Sequence, residues 1–321
     1  MPTTRAPRHG SLQYRPNKKA KRVFARVRHY TKAKEQVKES KPLAFAGYKA
    51  GMTHIAVPDN RKNSPTKGIE VNHAVTVIEC PPLRIHGIRL YRKDAYGLHV
   101  IKDITNKGDK FLARRIGSTE HSFPETISCD HAALLVHTQP ALTGTGQKTP
   151  EVFEVPMGGK PADVLAFAKA HKEVKISDVF KSGQLVDVHS ITKGQGFAGV
   201  VKKAGVGIRR HKSEKVKRGA VMAPEGYAKV SFEANMPGKF GNHTRTEWNH
   251  KIMLVSTVSE KEVNPKGGFV RYGLVKSDYL LLKGSVPGTK YGLIRFAAPL
   301  RKSKTSQEAP AIEYIHTESQ Q

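Results

Sequence analysis

Between Lys202 and Arg218 the chain carries eight Lys/Arg and one Glu, a net +7 in seventeen residues. A segment this basic repels itself and offers no apolar face, so it cannot enter a core. It lies inside a longer stretch, residues 193–251. That stretch opens with Lys193-Gly194-Gln195-Gly196-Phe197-Ala198-Gly199 and closes on Met236-Pro237-Gly238-Lys239-Phe240-Gly241-Asn242-His243-Thr244-Arg245-Thr246-Glu247-Trp248-Asn249. Glycine and proline free the backbone to follow a foreign surface. The stretch reads as an extended basic loop that threads into folded nucleic acid, whose phosphates supply the missing counter-charge.

The rest of the chain supports an anionic partner. Its 321 residues carry a formal net charge of +28, with 38% hydrophobic residues, enough for one large or two modest cores. Nucleic acid is the first candidate partner and a membrane surface the second. The membrane is disfavoured because no apolar run approaches the roughly 20 residues of a spanning helix. The N-terminus lacks the apolar region of a signal peptide, and its basic character continues too far into the chain for a transit peptide. Cys80 and Cys129 are the only cysteines. They argue against a disulfide framework and fit a reducing cytosol.

Taken in order, residues 1–42 form a basic N-terminal arm with thirteen Lys/Arg and two Glu, in which Val23, Phe24, Val27 and Tyr30 are too sparse for a core. The arm is expected to order on RNA. Residues 43–57 read as two short strands around a glycine-bearing turn, 58–65 as a polar hairpin loop and 74–79 as a β-branched strand stopped by Pro81-Pro82. Residues 83–180 read as an inserted subdomain with strands near 85–91, 98–104 and 132–138, and a helix over 161–172. From Ile116 to Phe180 it holds five Lys/Arg against eight Asp/Glu, so it is expected to face solvent or protein. Strands resume over 185–191 and, after the basic loop, over 251–258, 279–288 and 293–296, separated by glycine and proline turns as in a small β-barrel. The barrel is therefore assigned to 43–82 and 181–304, and 305–321 to a loosely held polar tail.

Several short motifs compete with this reading. Gly194-x-Gly196-x-x-Gly199 matches the dinucleotide fingerprint, and Glu214 lies near the distance of a ribose-binding acid. The fingerprint needs a helix and then a buried strand bearing the acid, whereas the basic run follows. A glycine-rich turn that lets backbone approach phosphate fits better. Gly144-Thr145-Gly146-Gln147-Lys148-Thr149 resembles a phosphate loop, but Leu142 and Gln147 stand where Walker A requires glycine. His121, Cys129, His131 and His137 lack paired zinc-ligand spacing, so no metal site is assigned. No nucleophile–base arrangement stands out. Trp248 either stacks on a base or packs beside the following strand.

Longer strings carry a resemblance. They are Arg8-His9-Gly10-Ser11-Leu12, Gly47-Tyr48-Lys49-Ala50-Gly51-Met52-Thr53-His54, Val75-Thr76-Val77-Ile78-Glu79 with Pro81-Pro82, and Val136-His137-Thr138-Gln139-Pro140. Further on come Asp187-Val188-His189-Ser190-Ile191-Thr192-Lys193-Gly194-Gln195-Gly196-Phe197, Met236-Pro237-Gly238 through Arg245-Thr246-Glu247, and Gly284-Ser285-Val286-Pro287-Gly288. With these strings in one order over nearly its full length, the chain resembles the universal large-subunit ribosomal protein "L three" family, in its archaeal and eukaryotic branch, with the length favouring an archaeal source. The resemblance implies a mainly β fold: a translation-protein-type β-barrel interrupted by an α/β insertion, with a long basic loop extension and an N-terminal arm. It implies a non-catalytic, cytoplasmic constituent of the large ribosomal subunit that binds large-subunit rRNA beside neighbouring ribosomal proteins. The protein would act early in assembly, reach the surroundings of the peptidyl transferase centre through its loop, and need no cofactor, membrane or small-molecule substrate. The family carries a tryptophan near the loop tip. The corresponding run here is Ala223-Pro224-Glu225-Gly226-Tyr227, with Glu225 in the tryptophan's place and Tyr227 as a substitute for stacking.

The rRNA-binding candidates follow from the two basic segments. In the arm they are Arg8, Arg15, Lys18, Lys19, Lys21, Arg22, Arg26 and Arg28, and in the first strand region Lys49. In and beside the loop they are Lys193, Lys202, Lys203, Arg209, Arg210, His211, Lys212, Lys215, Lys217, Arg218, Tyr227, Lys229, Lys239, His243, Arg245 and Lys251. Tyr14 and Phe197 are further candidates for stacking on bases. The alternative is an RNA-modifying or nucleotide-binding enzyme built on the glycine-rich turn after Ile191. It would require a second buried strand with an acid, or a catalytic constellation.

Overall fold

The structure, a computed structural model, describes residues 9–27, 40–61, 63–106, 108–117, 129–208, 212, 232–301, 303 and 305–319. Its described strands are β1 (Ala44–Pro58), β2 (Glu70–Glu79), β3 (Leu83–Asp94), β4 (Gly97–Thr105), β5 (His131–His137), β6 (Val152–Pro156) and β7 (Glu173–Val174). Then come β8 (Leu185–Ile191), β9 (Gly194–Ala198), β10 (Gly238–Gly241), β11 (Thr244–Ser256), β12 (Tyr279–Lys283), β13 (Leu293–Ala297) and β14 (Tyr314–Ile315). Helices are short and few: α1 (Pro161–Ala170), α2 (Ile176–Val179) and α3 (Val200–Ala204). The protein is mainly β. It divides into two compact units, one of Met1–Val23 with Ile191–Thr244, the other of Phe24–Ser190 with Arg245–Gln321.

The larger unit holds two sheets. The first runs β13-β8-β11-β12-β2-β1-β14, and β13 also pairs with β1, so six of its strands close into a ring. Closure buries the inward face, and β12 is covered on its outer face as well, which fits the uninterrupted run Tyr279-Leu280-Leu281-Leu282, each member fully buried. The second sheet runs β4-β3-β5-β6, with β7 added to β3. Helix α1 turns Val164, Leu165 and Ala168 inward. Its start is set by Pro161 in the first turn and by the Asp163 carboxylate, which accepts the Lys160 N–H at 2.8 Å. One apolar cluster includes residues from both sheets, among them Phe45, Ile78 and Phe296 from the first and Ile88, Leu134 and Val155 from the second.

Three local expectations change. Residues 44–58 form one strand, not two around a turn. The glycines there serve close approach instead. A Cβ on Gly47 would stand 2.7 Å from both the Cys80 sulfur and the Glu79 carbonyl oxygen, while a bulge between Lys49 and Gly51 absorbs the bend. The C-terminal residues are stitched to the sheet, since β14 pairs with the distal half of β1, and Thr53 donates to the His316 carbonyl at 2.8 Å. Strand β13 covers only Ala44 to Tyr48, so the far end of that edge of β1 is available to β14. Finally, Phe24, Ala25 and Val27 are buried and belong to the core rather than to an exposed arm.

Arg295 explains why Phe24 is held. This buried residue of β13 lays its guanidinium 4.4 Å from the Phe153 ring centre and 5.8 Å from that of Phe24, and donates to the Glu154 carbonyl at 2.8 Å. It thereby ties the closed sheet to β6 of the second sheet and to the end of the arm. Two buried carboxylates serve as backbone anchors. Asp187 accepts the N–H groups of Asn249 and Leu300, each at 2.9 Å. Glu79 accepts those of Lys276 at 2.7 Å and Ser277 at 2.9 Å.

Candidate nucleic-acid interface

The smaller unit contains the described parts of the N-terminal arm up to Val23 and of the two limbs of the basic loop up to Thr244. The limbs pair as β9 and β10, with Ala198 opposite Gly238 and Phe197 opposite Lys239. Thr192 and His243 close the root: the Thr192 N–H donates to the His243 carbonyl at 2.9 Å, and the His243 N–H donates to the Thr192 hydroxyl oxygen at 3.1 Å. Gly241 is indispensable to this pairing. Its φ of +75° is the left-handed region, and a Cβ there would lie 2.0 Å from the Lys193 carbonyl oxygen.

The Gly194-x-Gly196 segment is therefore a hairpin strand rather than the free turn expected from its sequence. Among the described residues before the returning limb, the five-residue helix α3 alone follows, and it ends at Gly205 in the left-handed conformation. Among the described residues, β9 is thus not followed by the helix and second buried strand that a dinucleotide requires. Lys202 and Lys203 sit in the last turn of α3, where the helix dipole favours cations, and Lys203 donates to the Met236 carbonyl at 3.2 Å.

The arm is fastened to the returning limb by side chains that the sequence suggested for RNA. The Arg15 guanidinium donates to the Phe232 and Ala234 carbonyls and, at 2.9 Å, to the Asn235 side-chain oxygen. Asn235 donates in turn to the His9 carbonyl at 2.8 Å. His243, buried, brings its Nδ1 to 2.9 Å from the Lys18 carbonyl oxygen, and the Ala20 N–H donates to the Asn242 carbonyl at 2.8 Å. Arg15 and His243 are thus committed to building the surface. Asn235, which lies in none of the quoted strings, shares that work with Asn242 and Thr192, which lie in them without a role assigned.

What remains outward is strongly cationic. Lys18, Lys19, Lys21, Arg22, Lys193, Lys202, Lys212 and Lys239 are all exposed. Among the described residues of this unit, ten Lys/Arg face one acid, Glu233. The Phe197 ring stands 77% exposed among them, and Tyr14 is exposed as well. Cations in this excess cannot be neutralised from within, and exposed rings among them suit stacked bases.

The other candidates lie elsewhere. Arg26, Lys49, Arg245 and Lys251 belong to the larger unit. Arg26 is exposed, Arg245 and Lys251 are half-buried, and Lys49 donates its ammonium to the Val286 carbonyl. Trp248 packs beneath Arg301, whose guanidinium carbon lies 4.4 Å from the ring centre. Arg8, Arg28, Arg209, Arg210, His211, Lys215, Lys217, Arg218, Tyr227 and Lys229, like Glu225, lie outside the described residues.

A mainly β chain with so one-sided a charge in one unit belongs to the nucleic-acid-binding class. The family model described as Ribosomal protein L3 matches residues 1–118 and 118–321. The chain is 39% identical over 332 residues to the large ribosomal subunit protein uL3 of Methanobrevibacter smithii, and 38% identical over 333 residues to that of Methanothermobacter thermautotrophicus, covering 98% of each chain in both cases. It is 39% identical over 338 residues to that of Caldivirga maquilingensis, covering 96% of this chain and 95% of the relative. The chain belongs to the ribosomal protein L3 family and is of the archaeal type.

Proposed function

We propose that the chain is a structural constituent of the large ribosomal subunit, resident in cytoplasmic ribosomes. It binds large-subunit rRNA, lies beside other proteins of the subunit and has no catalytic role. The observation that carries this reading, beside the family, is the smaller unit's ten Lys/Arg against one acid among its described residues. Lysines at positions 18, 19, 21, 193, 202 and 239 neutralise phosphates, while Phe197 meets an unpaired base. Residues 1–42 and 193–251 are the RNA-embedded arm and loop, and the loop extends toward the peptidyl transferase centre to support assembly and its surroundings. Residues 43–82 with 181–304 form the barrel that anchors them, 83–180 the inserted subdomain, and 305–321 the C-terminal segment.

The test is sedimentation of native cell extract on a magnesium-containing gradient, following this chain by mass spectrometry before and after a high-salt wash. Stoichiometric residence in the large subunit that survives the wash is expected. A chain that is free, or stripped at modest salt, overturns the reading in favour of a peripheral RNA binder.

A further inference from the structure

Strands β3 and β4 change character half-way along. The proximal part of β3 is flanked by β4 on one side and β5 on the other, and β5 reaches no further than Tyr91 opposite His131. Beyond that point the two strands pair with each other, Arg92 with His99, Lys93 with Leu98 and Asp94 with Gly97, and the one further anchor among the described residues is the Asp130 carboxylate, which accepts the Lys93 N–H at 2.7 Å. From Arg92 to Lys102 every residue is exposed, on both faces. The result is a two-stranded ribbon that stands clear of the sheet. Such a ribbon is marginal by itself in water. This one also displays apolar surface: the Tyr96 ring at its tip is 96% exposed, and Leu98, Val100 and Ile101 are exposed behind it. A hairpin that projects with its apolar groups open is built to be covered.

Charge decides what covers it. The ribbon carries Arg92, Lys93 and Lys102 against Asp94, whose carboxylate already faces the His99 ring at 3.9 Å. The three cations and the Tyr96 hydroxyl have no side-chain partner among the described residues. They lie outside the acidic run of 116–180, so the inserted subdomain is not uniform in sign. A protein edge would satisfy the backbone of β4 but would have to bring a carboxylate for each of the three cations. RNA satisfies both. Its phosphates take the lysines and arginine, its unpaired bases take the tyrosine ring, and its wide, shallow minor groove accepts a ribbon with aliphatic sides. We propose that the β3–β4 ribbon is a further RNA-docking finger, with Tyr96 stacking on an unpaired base and Arg92, Lys93 and Lys102 on flanking phosphates. The proposal rests on the reading of the chain as an rRNA-bound subunit protein, and adds a contact from the inserted subdomain, which the sequence assigned to solvent or protein.

The experiment places an iron–EDTA probe on the tip of the full chain. Tyr96→Cys is made with Cys129→Ser, leaving Cys80, which is buried, as the other cysteine. Ala95→Cys serves if the ring itself is needed for incorporation. In assembled large subunits, hydroxyl-radical cleavage at one confined stretch of large-subunit RNA is expected. A probe at Lys148→Cys is expected to mark a different place. In direct binding of the full chain to large-subunit RNA, Tyr96→Ala is expected to weaken affinity roughly tenfold without changing its salt dependence. Arg92→Ala with Lys93→Ala is expected to lower the log–log salt slope by about 1.5. Subunits that take up the probed chain but show no RNA cleavage near the tip, with scission of a neighbouring protein instead, overturn the finger and assign the ribbon to a protein. A wild-type chain that does not enter the subunit overturns the underlying function.

Discussion

Arg15 and Asn235 lie 220 residues apart in sequence, yet the guanidinium of one donates to the side-chain oxygen of the other at 2.9 Å. Around that bond the arm and the returning limb of the loop become one surface. Hydrogen bonds from a charged group contribute about 1.5–3 kcal/mol where solvent is excluded and less at partly exposed sites. Arg15→Ala is expected to speed amide exchange at residues 232–235 by roughly tenfold, with little change in the thermal unfolding of the larger unit. Unchanged exchange would show that the arm is held by other interactions.

Removing charge reads out the interface directly. Replacing Lys18, Lys19, Lys193, Lys202 and Lys239 together by alanine leaves the backbone hydrogen bonds of the hairpin in place. The log–log salt slope of binding to large-subunit RNA is expected to fall by roughly 0.7–0.9 for each phosphate no longer neutralised, so by up to about 4.5. A slope equal to that of the wild type would remove this face from the interface.

His137 makes stability depend on pH. Burial pushes its imidazole down to about 4, against a partial upward pull from Asp109, whose carboxylate lies 3.6 Å from Nε2, and a further downward push from His86 and Arg84. A depressed histidine stays neutral in the fold and protonates more readily in the unfolded chain. Its full contribution is therefore present above about pH 6.5 and is lost as the pH falls toward 4, for a total of about 3 kcal/mol. Denaturant titrations at pH 7, 5.5 and 4 check this. His137→Gln is expected to flatten the decline, leaving the smaller part due to His86, which burial also lowers.

Gly47 has no room for a methyl group. A Cβ there meets the Cys80 sulfur and the Glu79 carbonyl oxygen at 2.7 Å and the Ile78 methyl at 2.8 Å, at the end of the β1–β2 pairing, where Gly47 stands opposite Ile294 of β13. Gly47→Ala is expected to cost about 3 kcal/mol or more through overpacking, measured as a lowered denaturant midpoint. Gly117→Ala, whose Cβ meets nothing within 4 Å, is the matched control.

Arg295 cannot be exchanged for lysine without loss. The planar guanidinium lies against Phe153 while reaching the Glu154 carbonyl, and an ammonium cannot do both. Arg295→Lys is expected to destabilise the larger unit by about 1–3 kcal/mol. A midpoint shift below the error of the titration would show that stacking contributes little there.

Strand positions near 74–79, 185–191 and 293–296 were legible because β-branched and aliphatic runs bounded by glycine and proline have few other uses. Helix α1 was legible from Pro161 and Asp163 at its start. The glycines of residues 47–51 misled, because a glycine required for close approach looks in sequence like one required for a turn. The tail around Tyr314 misled because short polar segments carry no pattern that names their partner strand. That Arg15 and His243 fasten the arm to the loop was not legible, since composition reports charge and not which acceptor lies nearest.

The sequence by itself determined that this chain binds a polyanion and builds a mainly β core, because net charge and apolar periodicity are local sums that survive any arrangement. It also carried the family, through long strings in a fixed order. Only the tertiary structure decided which cations point outward and which fasten the arm to the loop. It alone fixed which six strands close the ring and in what order, set Arg295 against the Phe24 and Phe153 rings, and left the β3–β4 ribbon beyond the reach of β5. These depend on residues far apart in the chain meeting in space, with a geometry that is fixed by packing the whole and is written in no single segment.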